Sequence, residues 1–109
     1  MPERITEPEL ILPSLFLMSL STDGIITTSK LINELRNILK PSGEDVKILD
    51  GRQDDKFSQK VRNLKSHNTF EKYGYATYKD GVFKITEKGS RYQNKNIEVI
   101  KYLLTSDGN

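Results

Sequence analysis

The sequence predicts a small α+β domain in which three helices precede a two-stranded β-hairpin and a further helix closes the chain. Three observations carry this expectation. Apolar residues recur at helical spacing in three stretches before the hairpin, Asp80-Gly81 stands between two runs of aromatic and β-branched residues, and an amphipathic stretch follows. A chain of 109 residues suits one domain with a modest core.

Residues 1–9, MPERITEPE, are polar and hold two prolines, so they read as a loose arm. The domain is then expected over residues 10–104, with a flexible tail at 105–109. In LILPSLFLMSLS, the residues Leu12, Leu15, Phe16 and Met18 predict a mostly buried first helix. Pro13 is tolerated in its first turn, where the N–H it lacks would find no helical partner. Asp23-Gly24 marks a turn. Thr27 or Thr28 caps the second helix, on which Leu31, Ile32, Leu35, Ile38 and Leu39 share a face until Pro41 stops the run. SGEDVKILDGRQD reads as a loop with a short extended piece at Val46–Leu49.

The third helix is expected over residues 54–67. Asp54 or Asp55 caps it, and Phe57, Val61 and Leu64 recur at i, i+4 and i+7. The helix continues or restarts through NTFEKYG, and Gly74 supplies an end. The hairpin spans 75–85: Tyr75–Tyr78 leads out, Lys79-Asp80-Gly81 turns, and Val82–Ile85 returns. Thr86 caps a short helical turn, and Ile97, Val99, Ile100, Leu103 and Leu104 predict the closing helix.

Composition removes several function classes. With no Cys and one His, the chain has no thiolate nucleophile, no disulfide framework and no structural zinc site of the usual kind. No apolar run approaches the roughly 18 residues of a membrane span, and no basic segment precedes the greasy stretch as in a secretory signal. A soluble, cytoplasmic protein without membrane contact is expected. Asp54-Asp55-Lys56 matches half of a nuclease metal site but lacks a partner acid on a strand, so capping is the better reading. The glycines are too sparse for a phosphate-cradling loop. No enzyme activity and no cofactor are expected of this chain.

Charge is segregated along the sequence. Residues 1–51 carry five Lys/Arg against eight Asp/Glu, whereas residues 52–95 carry eleven against five. The basic half includes the third helix. Turning Phe57, Val61 and Leu64 to the core sends Asp55, Gln59, Arg62, Asn63 and Ser66 to the opposite side. Lys56, Lys60 and His67 flank one edge of that side, and Ser58 and Lys65 flank the other. Arg can grip guanine and Asn or Gln can grip adenine in bidentate fashion, while Lys and Ser serve phosphates. Arg62, Asn63, Gln59 and Ser66 are therefore candidate base or groove contacts. Lys56, Lys60, Lys65, Lys79 and Lys84 are candidate phosphate contacts, and His67 is a candidate phosphate contact or cap. Against this stands the bland reading that an exposed helix face is charged because it is solvated. Tyr75 and Tyr78 are candidates for stacking on an extruded or modified base, set against ordinary packing of the hairpin on the helices.

Three helices followed by a hairpin is the winged-helix order, in which the third helix enters the DNA major groove and the wing touches the backbone or minor groove. The run KFSQKVRNLKSHNTFEKYGYATYKDGVFKITEKGSRY, Lys56–Tyr92, resembles the winged-helix domains at the N-termini of Mrr-like and related restriction endonucleases. The likeness covers about a third of the chain, and its closing Ile85–Gly89 segment, ITEKG, is shared by many winged-helix regulators. It implies a double-stranded DNA recognition module that works joined to a nuclease domain, in some systems on modified bases. That nuclease domain is not expected within this chain. Rival readings are a small transcriptional regulator, a protein-interaction domain that forms a homodimer through NIEVIKYLL, and a nuclease with a degenerate metal site.

Overall fold

Pro13 sits in the first turn of the first helix, where the sequence requires it, and the chain around it is almost wholly sequestered. The computed structural model describes residues 7–39, 56–66 and 68–105. A 3-10 turn at Glu7–Leu10 leads into α1, Ile11–Leu20. That turn overlaps the end of the expected arm, because Leu10 is fully buried and ties it to the core. In α1 the buried side chains are Pro13, Ser14, Leu15, Leu17 and Met18. The helix is inner on most sides, as expected of a mostly buried helix, although Leu12 and Phe16 are only half-buried.

A tight turn at Thr22–Gly24 is followed by a short strand, β1, Ile25–Thr27, and then by α2, Thr28–Leu39. Thr27 is the cap of α2, since its hydroxyl accepts a hydrogen bond from the Lys30 N–H at 3.2 Å. Leu31, Ile32 and Leu35 form its buried face. The next helix is α3, Lys56–Ser66, with Phe57, Ser58, Val61 and Leu64 inward. Asn68, with φ of 53°, breaks the path, and a separate helix α4 restarts at Thr69–Tyr73. Gly74 ends α4 in the left-handed region.

Strands β2, Ala76–Lys79, and β3, Val82–Ile85, form the expected hairpin. Asp80 and Gly81 both have positive φ, 52° and 81°, as a two-residue turn matched to strand twist demands. The sheet, however, has three antiparallel strands in the order β1-β3-β2. The two-stranded expectation missed β1 because a three-residue strand leaves no periodic signal of its own. It forms by pairing Ile25, Ile26 and Thr27 with Lys84, Phe83 and Val82. The hairpin turn is also tied down: both the N–H and the hydroxyl of Thr28 donate to the Gly81 carbonyl, at 2.9 and 3.2 Å.

After the sheet come α5, Glu87–Lys95, and α6, Ile97–Thr105, so the expected closing helix is preceded by a full helix rather than a single turn. The break lies at Asn96, whose side chain donates to the Tyr92 carbonyl at 2.8 Å. The core gathers Leu10, Leu15, Met18, Leu31, Leu35, Phe57, Val61, Leu64, Phe70 and Phe83 from both helical and sheet layers. Among the described residues, no helix is long and apolar enough to cross a membrane. The caps at Asp54 and Asp55, the piece at Val46–Leu49, the stop at Pro41, and His67 lie outside the described residues.

Candidate nucleic-acid interface

The position of α3 is set by α2. Arg36 of α2 donates to the Ser58 hydroxyl at 2.9 Å, and its guanidinium lies 5.2 Å from the centre of the Phe57 ring. Ser58 is 7% exposed, so it is an internal anchor rather than a member of the flank assigned to it from the sequence. The reason is that 58 lies about 60° beyond 61 on the helical wheel, and α2 covers that side.

With that face fixed, Gln59, Arg62, Asn63 and Ser66 follow one another at i, i+3, i+4 and i+7 on the outward side. Gln59, Arg62 and Asn63 are partly exposed and Ser66 is exposed. Gln59 donates from its side-chain amide to the Asn63 carbonyl oxygen at 3.0 Å, which orients both amides along the stripe. Lys60 is partly exposed, and Lys56 and Lys65 are exposed. Four of the expected residues, Gln59, Arg62, Lys65 and Ser66, open into one groove of about 400 Å³. Its other walls are Thr27, Thr28, Ser29 and Ile32 at the start of α2, and Tyr78 and Gly81 of the hairpin.

Tyr78 joins the helix to the hairpin. Its ring packs edge-on against Phe83 with centroids 4.8 Å apart, and the Lys65 ammonium lies 5.6 Å from its centre. Tyr75 stands elsewhere. It stacks on Tyr73 at 5.5 Å and on Tyr92 at 4.4 Å, with the Lys88 ammonium 5.9 Å from the ring centre. Burial pushes the Tyr75 hydroxyl above its ordinary pKa, and Tyr92 and Tyr73 act in the same direction. Of the two tyrosines named from the sequence, only Tyr78 borders the α3 groove.

The sheet separates the remaining lysines from α3. Ile26, Phe83 and Tyr78 form one cross-strand row, and the burial of Ile26 and Phe83 turns it to the core. By strand alternation the rows Ile25–Lys84–Thr77 and Thr27–Val82–Lys79 point to the other face. Lys79 and Lys84 thus leave the sheet on the side opposite Tyr78. Sequence reading also missed the hydroxyl-bearing Thr27, Thr28 and Ser29 in the groove wall. A signal was present, since three such residues at a helix start are apt for holding an anion. Among the described residues, no cluster of three His, Cys, Asp or Glu is arranged to hold a metal ion. The chain matches no protein-family model, no curated protein and no solved structure.

Proposed function

We propose that the chain is a winged-helix module that binds double-stranded DNA, with α3 as the major-groove helix and β2–β3 as the wing. The observation that carries this reading is the stripe Gln59, Arg62, Asn63 and Ser66 on the outward side of a core-anchored helix, of which Gln59, Arg62 and Ser66 open with Lys65 into a groove shared with the hairpin. The order helix, strand, helix, helix, short helix, strand, strand, with the last strand central in the sheet, supports it. So does the segregation of eleven Lys/Arg into residues 52–95.

In this reading Arg62 is a guanine contact and the Gln59–Asn63 amide pair is an adenine contact, aligned by its own hydrogen bond. Lys56, Lys60 and Lys65 hold phosphates along the two edges of α3. Ser29 offers its hydroxyl, and the start of α2 its positive end, to a further phosphate. Lys79, beside the turn, reaches the backbone from the outer face of the wing. The resemblance of Lys56–Tyr92 to recognition domains of Mrr-like restriction endonucleases makes target recognition for a nuclease domain the proposed setting, with modified bases among the targets.

The test is fluorescence anisotropy with a duplex panel, plain and carrying 5-methyl- or 5-hydroxymethylcytosine, at several salt concentrations. If Lys56, Lys60, Lys65 and Lys79 dominate the phosphate contacts, the log–log salt slope is about −4. No duplex binding at low salt overturns the reading. A specific observation favours one alternative, homodimerisation: Val99 and Tyr102 on α6 are 49% and 65% exposed. Sedimentation that gives a dimer, together with no duplex binding, supports that alternative.

A further inference from the structure

A second basic and aromatic surface lies at the other end of the hairpin. On α5, Lys88, Arg91 and Lys95 follow at i, i+3 and i+7, with Tyr92 among them. Together with Tyr75 they line a groove of about 420 Å³. The Tyr75 and Tyr92 rings stack nearly parallel, 15° apart, and Lys88 stands over Tyr75. The nearby acid, Glu87, is paired to Arg91 at 2.7 Å, with both side chains largely exposed. An exposed, solvent-screened pair of this kind adds little, so a phosphate can take the place of the carboxylate.

We infer that this α5 groove is a second nucleic-acid site that takes a single strand, with phosphates on Lys88, Arg91 and Lys95 and a base against Tyr92. From Lys88 to Lys95 the helix advances about 10 Å, enough for about three phosphates of one strand. Cations beside stacked rings are the chemistry of strand binding without a duplex, since every base has a face to stack. An acidic peptide would satisfy the cations and leave the rings unused. Tyr75 and Tyr78 are three residues apart, about 10 Å along the strand, so this site and the α3 groove occupy opposite ends of the hairpin. Each can therefore fail without the other.

The test is anisotropy of a labelled oligothymidine with the full chain. The parent is expected to bind with a log–log salt slope of about −2, as three single-strand phosphate contacts require. Replacing Lys88, Arg91 and Lys95 together by Gln is expected to weaken this binding by about tenfold or more, and Lys88→Arg with Lys95→Arg to preserve it. Tyr92→Leu keeps the charge and is expected to lose about tenfold through stacking. Arg62→Ala is expected to leave oligothymidine affinity intact, which separates this site from the duplex reading. In the unaltered protein, ultraviolet cross-linking is expected to mark Tyr92. Single-strand affinity unchanged in a folded Lys88/Arg91/Lys95 variant overturns the inference. Cross-links confined to residues 56–66, or competition by polyglutamate as effective as by oligothymidine, overturn it as well.

Discussion

Gly89 packs its α-carbon directly against the backbone of Tyr75: a Cβ placed there would overlap the Tyr75 carbonyl oxygen and lie 2.9 Å from its carbonyl carbon. The same carbonyl accepts the Thr86 N–H at 3.0 Å, while the Thr86 hydroxyl donates to the Gly74 carbonyl at 2.5 Å and accepts from the Gly89 N–H at 3.0 Å. The Thr-x-x-Gly segment is thus a clasp between the hairpin base and α5. Gly89→Ala is expected to cost about 3 kcal/mol, because backbone rather than a flexible side chain must give way. Thermal unfolding should show a fall in Tm of roughly 15 °C. A fall within experimental error would show that α5 can move off the hairpin at little cost.

Thr86→Val keeps the branched shape and removes the hydroxyl, and with it the cap of α5 and the bond to Gly74. A loss of about 1 to 2 kcal/mol is expected by urea denaturation. The slope of the urea transition should stay the same, since the folded surface does not change.

The two kinds of contact proposed for α3 separate by mutation. Arg62→Ala is expected to lose about 1 to 3 kcal/mol on a preferred duplex and little on a scrambled one, whereas Lys60→Ala weakens both alike. Equal losses for Arg62→Ala on the two duplexes would remove Arg62 as a base contact.

The faces of the sheet make a further distinction. Lys65 lies over Tyr78 at the α3 groove, while Lys84 projects from the opposite side of the sheet. Lys65→Ala is expected to weaken duplex binding and to reduce the salt slope by about 1, and Lys84→Ala to leave both nearly unchanged. Equal effects would mean that the duplex wraps the hairpin rather than resting on its inner face.

The Tyr75 hydroxyl yields a pH dependence. Its folded pKa is raised from the ordinary 10.0, chiefly by burial, so the folded state holds that proton more tightly than the unfolded chain. Its contribution is therefore complete below pH 10.0 and is lost as pH rises through the folded value. In urea melts through the alkaline range, Tyr75→Phe should show a shallower loss of stability than the parent. A parallel loss in both would assign the alkaline transition to other groups.

Phe57, Val61 and Leu64 made α3 readable from sequence, because a core stripe at i, i+4 and i+7 is a local pattern that survives folding. Asp80-Gly81 made the hairpin readable for a similar reason, since few residues tolerate positive φ twice in succession. The outward set Gln59, Arg62, Asn63 and Ser66 followed from the same stripe by geometry alone. Ser58 did not, since its burial depends on Arg36 arriving from another helix.

By itself, then, the sequence determined the helices with amphipathic stripes, the turn and the basic character of residues 52–95, all of which rest on contacts within a few residues. Tertiary structure alone decided what depends on residues far apart. Strand β1 exists because Ile26 meets Phe83, the hairpin turn is held because Thr28 meets Gly81, and Tyr75 and Tyr78 part company because alternate strand residues face opposite ways. The physical reason is that a three-residue strand or a ring in a stack has no stability until a distant partner supplies the hydrogen bonds and the buried area.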